Sequence, residues 1–383
     1  MLKKKEKILF FLLISFVTGN SPLYGQGYLD SLPIINKGEI LVLGEYHFVQ
    51  EMQDVEHDII LNYSKTSQDL VVVFVEMPYH EIYYVNQLFE NGDSLRFKKY
   101  ARLLGTISGP YLYNLIMFLY EINQKINNLK IVCFDENKLH GRALYTIREL
   151  LNTYPNCPES IQKMKYQADS LLQAGVPKSK VENERYVPYF EKFKKEFQKH
   201  KKDYKKTLSA SDFEILTHIF KNYTESFDIR ESIMFKNICK HYQKECRHIV
   251  IVGNTHANKE KIQHSGISYN PKTKPLAWQL NNINKSPFRH KVYTIHLAPQ
   301  KIVFPETIIN DSLTIASKEV TWVTSSIPNH IRKELVAQHE DIAIKMINSS
   351  EYPEIHKQFD GFILIRKAHS TIPGNKETIE DNW

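Results

Sequence analysis

Ile40-Leu41-Val42-Leu43-Gly44-Glu45-Tyr46-His47 decides how the rest of the chain is read. Its first four residues are apolar at every position, as in a strand covered on both faces. Gly44 ends the run, and two side chains with chemistry, Glu45 and His47, follow at once. In open α/β sheets ligands bind outside the carboxyl ends of the strands. The residues behind each strand are therefore where a site is sought.

Working outward, similar runs recur at Leu70-Val71-Val72-Val73-Phe74-Val75, Lys130-Ile131-Val132-Cys133-Phe134 and His248-Ile249-Val250-Ile251-Val252. Val292-Tyr293-Thr294-Ile295 and Gly361-Phe362-Ile363-Leu364-Ile365 continue the series. Between them lie helical rhythms. Met52, Val55, Ile59, Ile60 and Tyr63 recur at three-to-four-residue spacing, as do Ile229, Ile233, Met234, Ile238 and Tyr242. This alternation predicts an α/β fold with a mainly parallel central sheet and helices on both faces. The stretch from about 150 to 228 has no strand signal and is polar, Lys-rich and Tyr-rich, which predicts a helical insertion beside the sheet. The expected organisation is a signal peptide at 1–25 and a single α/β hydrolase-like domain at 26–383 that contains the insertion. A polar tail begins near Pro373.

Composition narrows the class. The 383 residues are 42% hydrophobic and 24% charged, an ordinary globular balance. Lys3, Lys4, Lys5 and Lys7 precede an apolar stretch from Ile8 to Val17, and a small, polar tail runs to Gly25-Gln26. That is the pattern of a cleaved leader, and the stretch is too short for a membrane helix of about 20 residues. A periplasmic or secreted location is expected, with no stable membrane insertion after cleavage. Loss of residues 1–25, which hold four Lys and one Glu, lowers the formal charge from +7 to +4. So mild a charge, with no supporting motif, argues against nucleic acid as a partner. The Lys-rich run from Lys192 to Lys206 is broken by Glu and Tyr at helical spacing and predicts a solvated helix face. Four cysteines do not make a disulfide scaffold in a chain this long. Cys133 lies within an apolar strand, and only Cys239 and Cys246 stand where a pair could span a helix end.

The strand ends carry the chemistry. The first strand ends in Glu45 and His47, the second in Glu76, the third in Asp135-Glu136, and the fourth in Gly253-Asn254-Thr255-His256. Four strands thus deliver carboxylates or imidazoles to one edge. Gly44 and Gly253 suit a tight turn. His47 and His256 are candidate general bases, since an unperturbed imidazole titrates near 6.5. Glu76 or Glu45 can orient an imidazole or hold a water. The same His47, Glu76 and His256 also make a plausible set of divalent-metal ligands. Arg230, Met234 and Asn237 share one helix face, and an Arg there suits a developing oxyanion or a substrate carboxylate or phosphate. A buried structural pairing of His47 with Glu76, and an ordinary salt bridge for Arg230, are the bland readings of the same residues.

These motifs resemble the erythromycin esterase family. Gly44-Glu45-Tyr46-His47-Phe48-Val49-Gln50-Glu51 is similar to its opening motif, and Val75-Glu76-Met77-Pro78 supplies the Glu after a second strand. The Arg-Glu-x-x-Met-x-x-Asn run from Arg230 to Asn237 resembles the family's Arg-bearing helix. His256 falls where the family has a second essential His, and Phe359-Asp360-Gly361-Phe362 resembles a strand near its C-terminus. The likeness spans about residues 35 to 370. One departure is visible: a single residue, Tyr46, separates Glu45 from His47, where the esterases usually have two. That spacing is as similar to the wider superfamily of Tiki/TraB/GumN proteins and ChaN-like haem-binding lipoproteins.

The resemblance implies an exported hydrolase that cleaves an ester, lactone or amide of a small-molecule or peptide substrate through activated water. His47 is the expected base, Glu76 its orienting carboxylate, His256 a second acid/base group, Glu45 a supporting carboxylate and Arg230 a clamp. No Gly-x-Ser-x-Gly elbow is present, which argues against a serine nucleophile. Esterase-like members imply no cofactor, and Tiki-like members imply a divalent metal on His47, Glu76 and His256. ChaN-like members imply a haem- or small-molecule-binding protein without turnover.

Overall fold

The computed structural model describes residues 26–66, 68–103, 105–136, 140–173, 185–221, 227–260, 274–304, 307–310, 313–315, 318–320, 327–338, 340–366 and 368–369. The expected leader at 1–25 and the tail from Pro373 lie outside the described residues.

Seven strands form the central sheet: β1 (Ile40–Glu45), β2 (Val71–Pro78), β3 (Leu129–Asp135), β4 (Arg247–Gly253), β5 (Val292–Pro299), β10 (Ile342–Met346) and β11 (Gly361–Ile365). Short strands β6 (Ile302–Phe304), β7 (Thr307–Asn310), β8 (Leu313–Ile315), β9 (Lys318–Val320) and β12 (Ala368–His369) make two small accessory sheets. In the large sheet the order is β10-β11-β5-β1-β4-β2-β3, parallel except where β10 runs against β11. The α/β class expected from strand–helix alternation is the one observed.

Burial explains why the strands are apolar at most positions. Leu41, Leu43, Val73, Val75, Ile249 and Ile251 face one layer, with Met52, Val55 and Ile59 of the helix Gln50–Lys65. Ile40, Val42, Val72, Phe74, Val250 and Val252 face the other, with Met234 and Ile238 of the helix Phe227–Lys240 and Leu276 and Leu280 of the helix Leu276–Asn282. Successive side chains alternate faces, so a sheet covered on both sides needs apolar residues throughout. Each such side chain contributes about 1.5–3 kcal/mol by leaving water.

The region expected as an insertion is helical where it is described: Glu159–Leu171, Val187–Lys199, Lys201–Thr207 and Ala210–Lys221. Its ends are shared with the domain, because the helix His140–Asn152 starts earlier and Phe227–Lys240 runs on to β4. In Val187–Lys199 the lysines lie outward while Phe190, Phe193 and Phe197 are buried, which is the solvated face the spacing predicts. Strand β10 escapes the sequence pattern because it is a short edge strand, buried at Ile342, Ala343 and Ile344 only. Lys345 blunts its open side. All four cysteines are free thiols, so Cys239 and Cys246 do not pair. Among the described residues no helix is long and apolar enough to cross a membrane.

Candidate active site

Strand β4 lies between β1 and β2 and sets the site's frame. Glu45 at the end of β1 stands beside Gly253 at the end of β4, and Asp135 closes β3 beside Pro78 of β2. The helix Phe227–Lys240 crosses this edge. Buried Met234 and a hydrogen bond from Asn237 Nδ2 to the Phe134 carbonyl (2.9 Å) anchor it, so that Arg230 reaches the strand ends. The face shared by Arg230, Met234 and Asn237 is therefore the face that meets the sheet.

The two glycines have a different task from the turn their type suggests. Neither has the left-handed backbone, which falls instead on Phe48 (φ 64°) directly after His47. What Gly44 and Gly253 allow is close approach. A Cβ on Gly44 would lie 2.7 Å from the Ala257 Cβ and 2.8 Å from Asn254 Oδ1, and one on Gly253 would lie 3.2 Å from His47 Nε2. Phe48 holds a conformation that costs a bulky residue of the order of 1 kcal/mol or more, with its ring edge-on to Tyr111 at 5.3 Å.

Two imidazoles flank one carboxylate. His47 Nδ1 bonds Glu45 Oε1 at 2.8 Å, and its Nε2 stands 3.5 Å from Glu76 Oε2. His256 Nδ1 bonds Glu231, and its Nε2 stands 3.6 Å from Glu76 Oε1. Each ring is thus locked by a carboxylate at Nδ1 and turned by Nε2 toward the same Glu76. A carboxylate at Nδ1 fixes the tautomer and leaves Nε2 to exchange protons. The rings differ in access: the His47 side chain is 22% exposed and that of His256 is 5% exposed. Burial disfavours a charged His47, but the negative Glu76 and Glu45 outweigh it and raise the imidazole to about 9. Its base form is therefore the minor one at neutral pH, unlike an unperturbed histidine. Burial also works against the charge on Glu76, yet His256, His47, Arg230 and the Gly253 N–H (2.7 Å) together lower it to about 2.

Arg230 ties the site together. Its Nε and Nη2 bond Asp135 as a fork at 2.8 and 2.7 Å, and Nη2 also reaches Glu76 Oε1 at 2.6 Å. Nη1 faces His256 Nε2 at 3.3 Å. Burial opposes its charge, but Asp135 and Glu76 hold the guanidinium protonated well beyond its usual range. The ordinary salt bridge of the bland reading exists, and it leaves Nη1 with no carboxylate partner.

This arrangement does not suit a metal on His47, Glu76 and His256. Each Glu76 oxygen already accepts a strong hydrogen bond, and a guanidinium stands at His256 Nε2, where a cation would have to bind. Among the described residues no group of three His, Cys, Asp or Glu side chains is arranged to hold a metal ion.

The structure brings all five sequence-read residues, His47, Glu76, His256, Glu45 and Arg230, to one place, with Asp135 joined through Arg230. Sequence reasoning missed three partners. Glu231 sits beside Arg230 in the motif and its type signals a carboxylate. Glu56 falls on the buried stripe of its helix, at the spacing of Met52, Ile59 and Tyr63, and an acid there is a usable signal. Tyr111, whose hydroxyl donates to Glu45 Oε2 at 2.6 Å, has no sequence signal.

No family model matches the chain, and no curated protein is similar to it in sequence. Solved structures share its fold. An erythromycin esterase mutant in its open conformation aligns over 90% of this chain and 94% of its own, with TM-score 0.60 and 12% identity. A succinoglycan biosynthesis protein aligns over 87% of this chain and 88% of its own, with TM-score 0.56 and 12% identity. A Bacillus cereus protein aligns over 87% and 89%, with TM-score 0.52 and 13% identity. At such identities the likeness is one of fold.

Proposed function

We propose that the chain is a hydrolase that adds water to the carbonyl of an ester, lactone or amide in a small-molecule substrate. The observation that carries this reading is the pair of carboxylate-locked imidazoles, both turned by Nε2 toward Glu76. An esterase among the fold neighbours supports the ester side of the proposal.

In this mechanism His47, the imidazole open to solvent, takes a proton from water at Nε2. Glu45 keeps the Nδ1–H in place and stabilises the cation that forms. Glu76 stays ionised because of its lowered value and holds the water from the opposite side. The water oxygen bonds to the carbonyl carbon, and the carbonyl oxygen becomes an oxyanion. Arg230 Nη1, the guanidinium nitrogen without a carboxylate, donates to that oxygen. The bond to the leaving oxygen or nitrogen then breaks as the His47 proton passes to it. His256, oriented by Glu231, holds Arg230 Nη1 in line and acts as a second proton carrier.

Hydrolysis of an activated aryl ester by wild type, His47→Asn and Glu76→Gln tests the reading. Each variant is expected to lose at least about 100-fold in kcat/KM while melting cooperatively. Wild-type rates in either folded variant would overturn the assignment.

A further inference from the structure

Behind Glu45 lies a second carboxyl group that the mechanism above does not use. Glu56 is fully buried on the helix Gln50–Lys65, and no N–H, O–H or cation donates to either of its carboxyl oxygens. Its carboxyl lies beside that of Glu45, whose negative charge acts on it directly. Neither oxygen of Glu45 is idle: Oε1 takes His47 Nδ1 at 2.8 Å and Oε2 takes the Tyr111 hydroxyl at 2.6 Å. Tyr111 is itself held from the same helix, where Gln53 Nε2 donates to its carbonyl at 2.9 Å. Gln53 and Glu56, three residues apart on one buried face, therefore both serve the surroundings of Glu45.

Two carboxyl groups in contact and shielded from water cannot both be charged. A carboxylate accepts hydrogen bonds and cannot donate one, so the contact requires a proton on one partner. Glu45 accepts from His47 Nδ1 on one oxygen and from the Tyr111 hydroxyl on the other. Glu56 faces neither. The proton therefore belongs to Glu56, and burial followed by the charge of Glu45 pushes its carboxyl well above the usual range.

We propose that Glu56 is a positioning residue, a permanently neutral carboxylic acid that donates a hydrogen bond to Glu45. With Tyr111 it completes a cradle that fixes the Glu45 carboxylate against His47 Nδ1. This rests on the hydrolase reading for its effect on rate, although the protonation of Glu56 can be read without any substrate. The cradle resists rotation of Glu45 in turnover, when His47 gains and loses its Nε2 proton. A side chain with a neutral donor in the same place keeps the cradle, and an apolar one of similar size breaks it.

Infrared difference spectra of wild type minus Glu56→Gln at about pH 8.5, above the value of about 7 to which burial raises Glu81, read the proton directly. The expected result is a carbonyl stretch of a protonated carboxylic acid that is present in wild type and absent from the variant. No such band would overturn the neutral Glu56. Aryl ester kinetics read the positioning. Glu56→Leu is expected to lower kcat roughly tenfold with little change in KM, and Glu56→Gln to restore most of that loss. An unchanged kcat in Glu56→Leu, or a Glu56→Gln variant no better than Glu56→Leu, would overturn the positioning role. Should wild type hydrolyse no ester at all, the reaction proposed above fails, while the infrared band still decides for or against the protonated Glu56.

Discussion

At Arg230 the chemistry depends on shape as much as on charge. Its fork on Asp135 leaves one nitrogen on Glu76 and another beside His256. A lysine keeps the charge but cannot hold three groups in one plane. Arg230→Lys is therefore expected to fold and to lose about 100-fold or more in kcat for aryl ester hydrolysis. Arg230→Met leaves Asp135 and Glu76 buried without their cation, and urea titration should show a loss of about 3–5 kcal/mol. A Met variant as stable as wild type would mean that the carboxylates have another partner. The same residue illustrates what single positions reveal. Glu45, His47, Glu76 and His256 were legible because residue type and strand-end location coincide, and Arg230 because it shares a helix face with Met234 and Asn237. Tyr111 was not legible, because nothing in a tyrosine on a long apolar helix marks one hydroxyl as a donor to a carboxylate sixty-six residues away.

Among elements, the tight joint is between β1 and the turn after β4. Gly44 is packed against Ala257 and Asn254 so closely that an added methyl has no room. Gly44→Ala is expected to destabilise the fold by about 1–3 kcal/mol, visible as a lower urea midpoint, because backbone must move to admit it. An unchanged midpoint would show that the turn is slack. Gly253→Ala has a milder steric demand, but its methyl would meet His47 Nε2 at 3.2 Å, so its effect should fall on rate before stability. The sequence pattern located six strands of the sheet because each is buried on both faces along most of its length and mainly apolar. It passed over β10, where only one end of an edge strand is buried, and the short strands β6 to β9, which are too brief to carry a period. The reading of Gly44 and Gly253 as turn residues failed for a related reason. A glycine needed for space and one needed for a left-handed φ look alike until neighbours from distant segments are in place.

For the whole molecule, buried histidines set the response to acid. Burial depresses His57, His218 and His296 to about 3, and His241 and His248 to about 4. A group whose folded value lies below its unfolded value of about 6.5 takes up a proton on unfolding at intermediate pH. Stability is therefore full above about 6.5 and falls as pH drops toward 4, by up to about 1.4 kcal/mol per pH unit for each histidine. Calorimetry should record a falling Tm across that window, and a flat Tm from pH 6.5 to 4.5 would contradict these buried neutral rings. His47 acts with the opposite sign. Its folded value is raised, so its charged form stabilises the protein fully below about 6.5, and that contribution is lost as pH rises through about 9. Glu76, lowered to about 2, adds stability above its ordinary 4.5 that disappears only as pH falls through about 2.

On the proposed hydrolase reading, the opposed shifts of His47 and Glu76 set the expected pH dependence. If His47 is the base that activates water, only its neutral form is competent, and that form grows tenfold per pH unit until about 9. The pH dependence of kcat/KM for an aryl ester is the direct measurement. The account predicts a rise of unit slope from about pH 7 that levels near 9, and a limb displaced to lower pH in Glu45→Gln. A rate already level above about pH 7, or a limb that Glu45→Gln leaves in place, would contradict it.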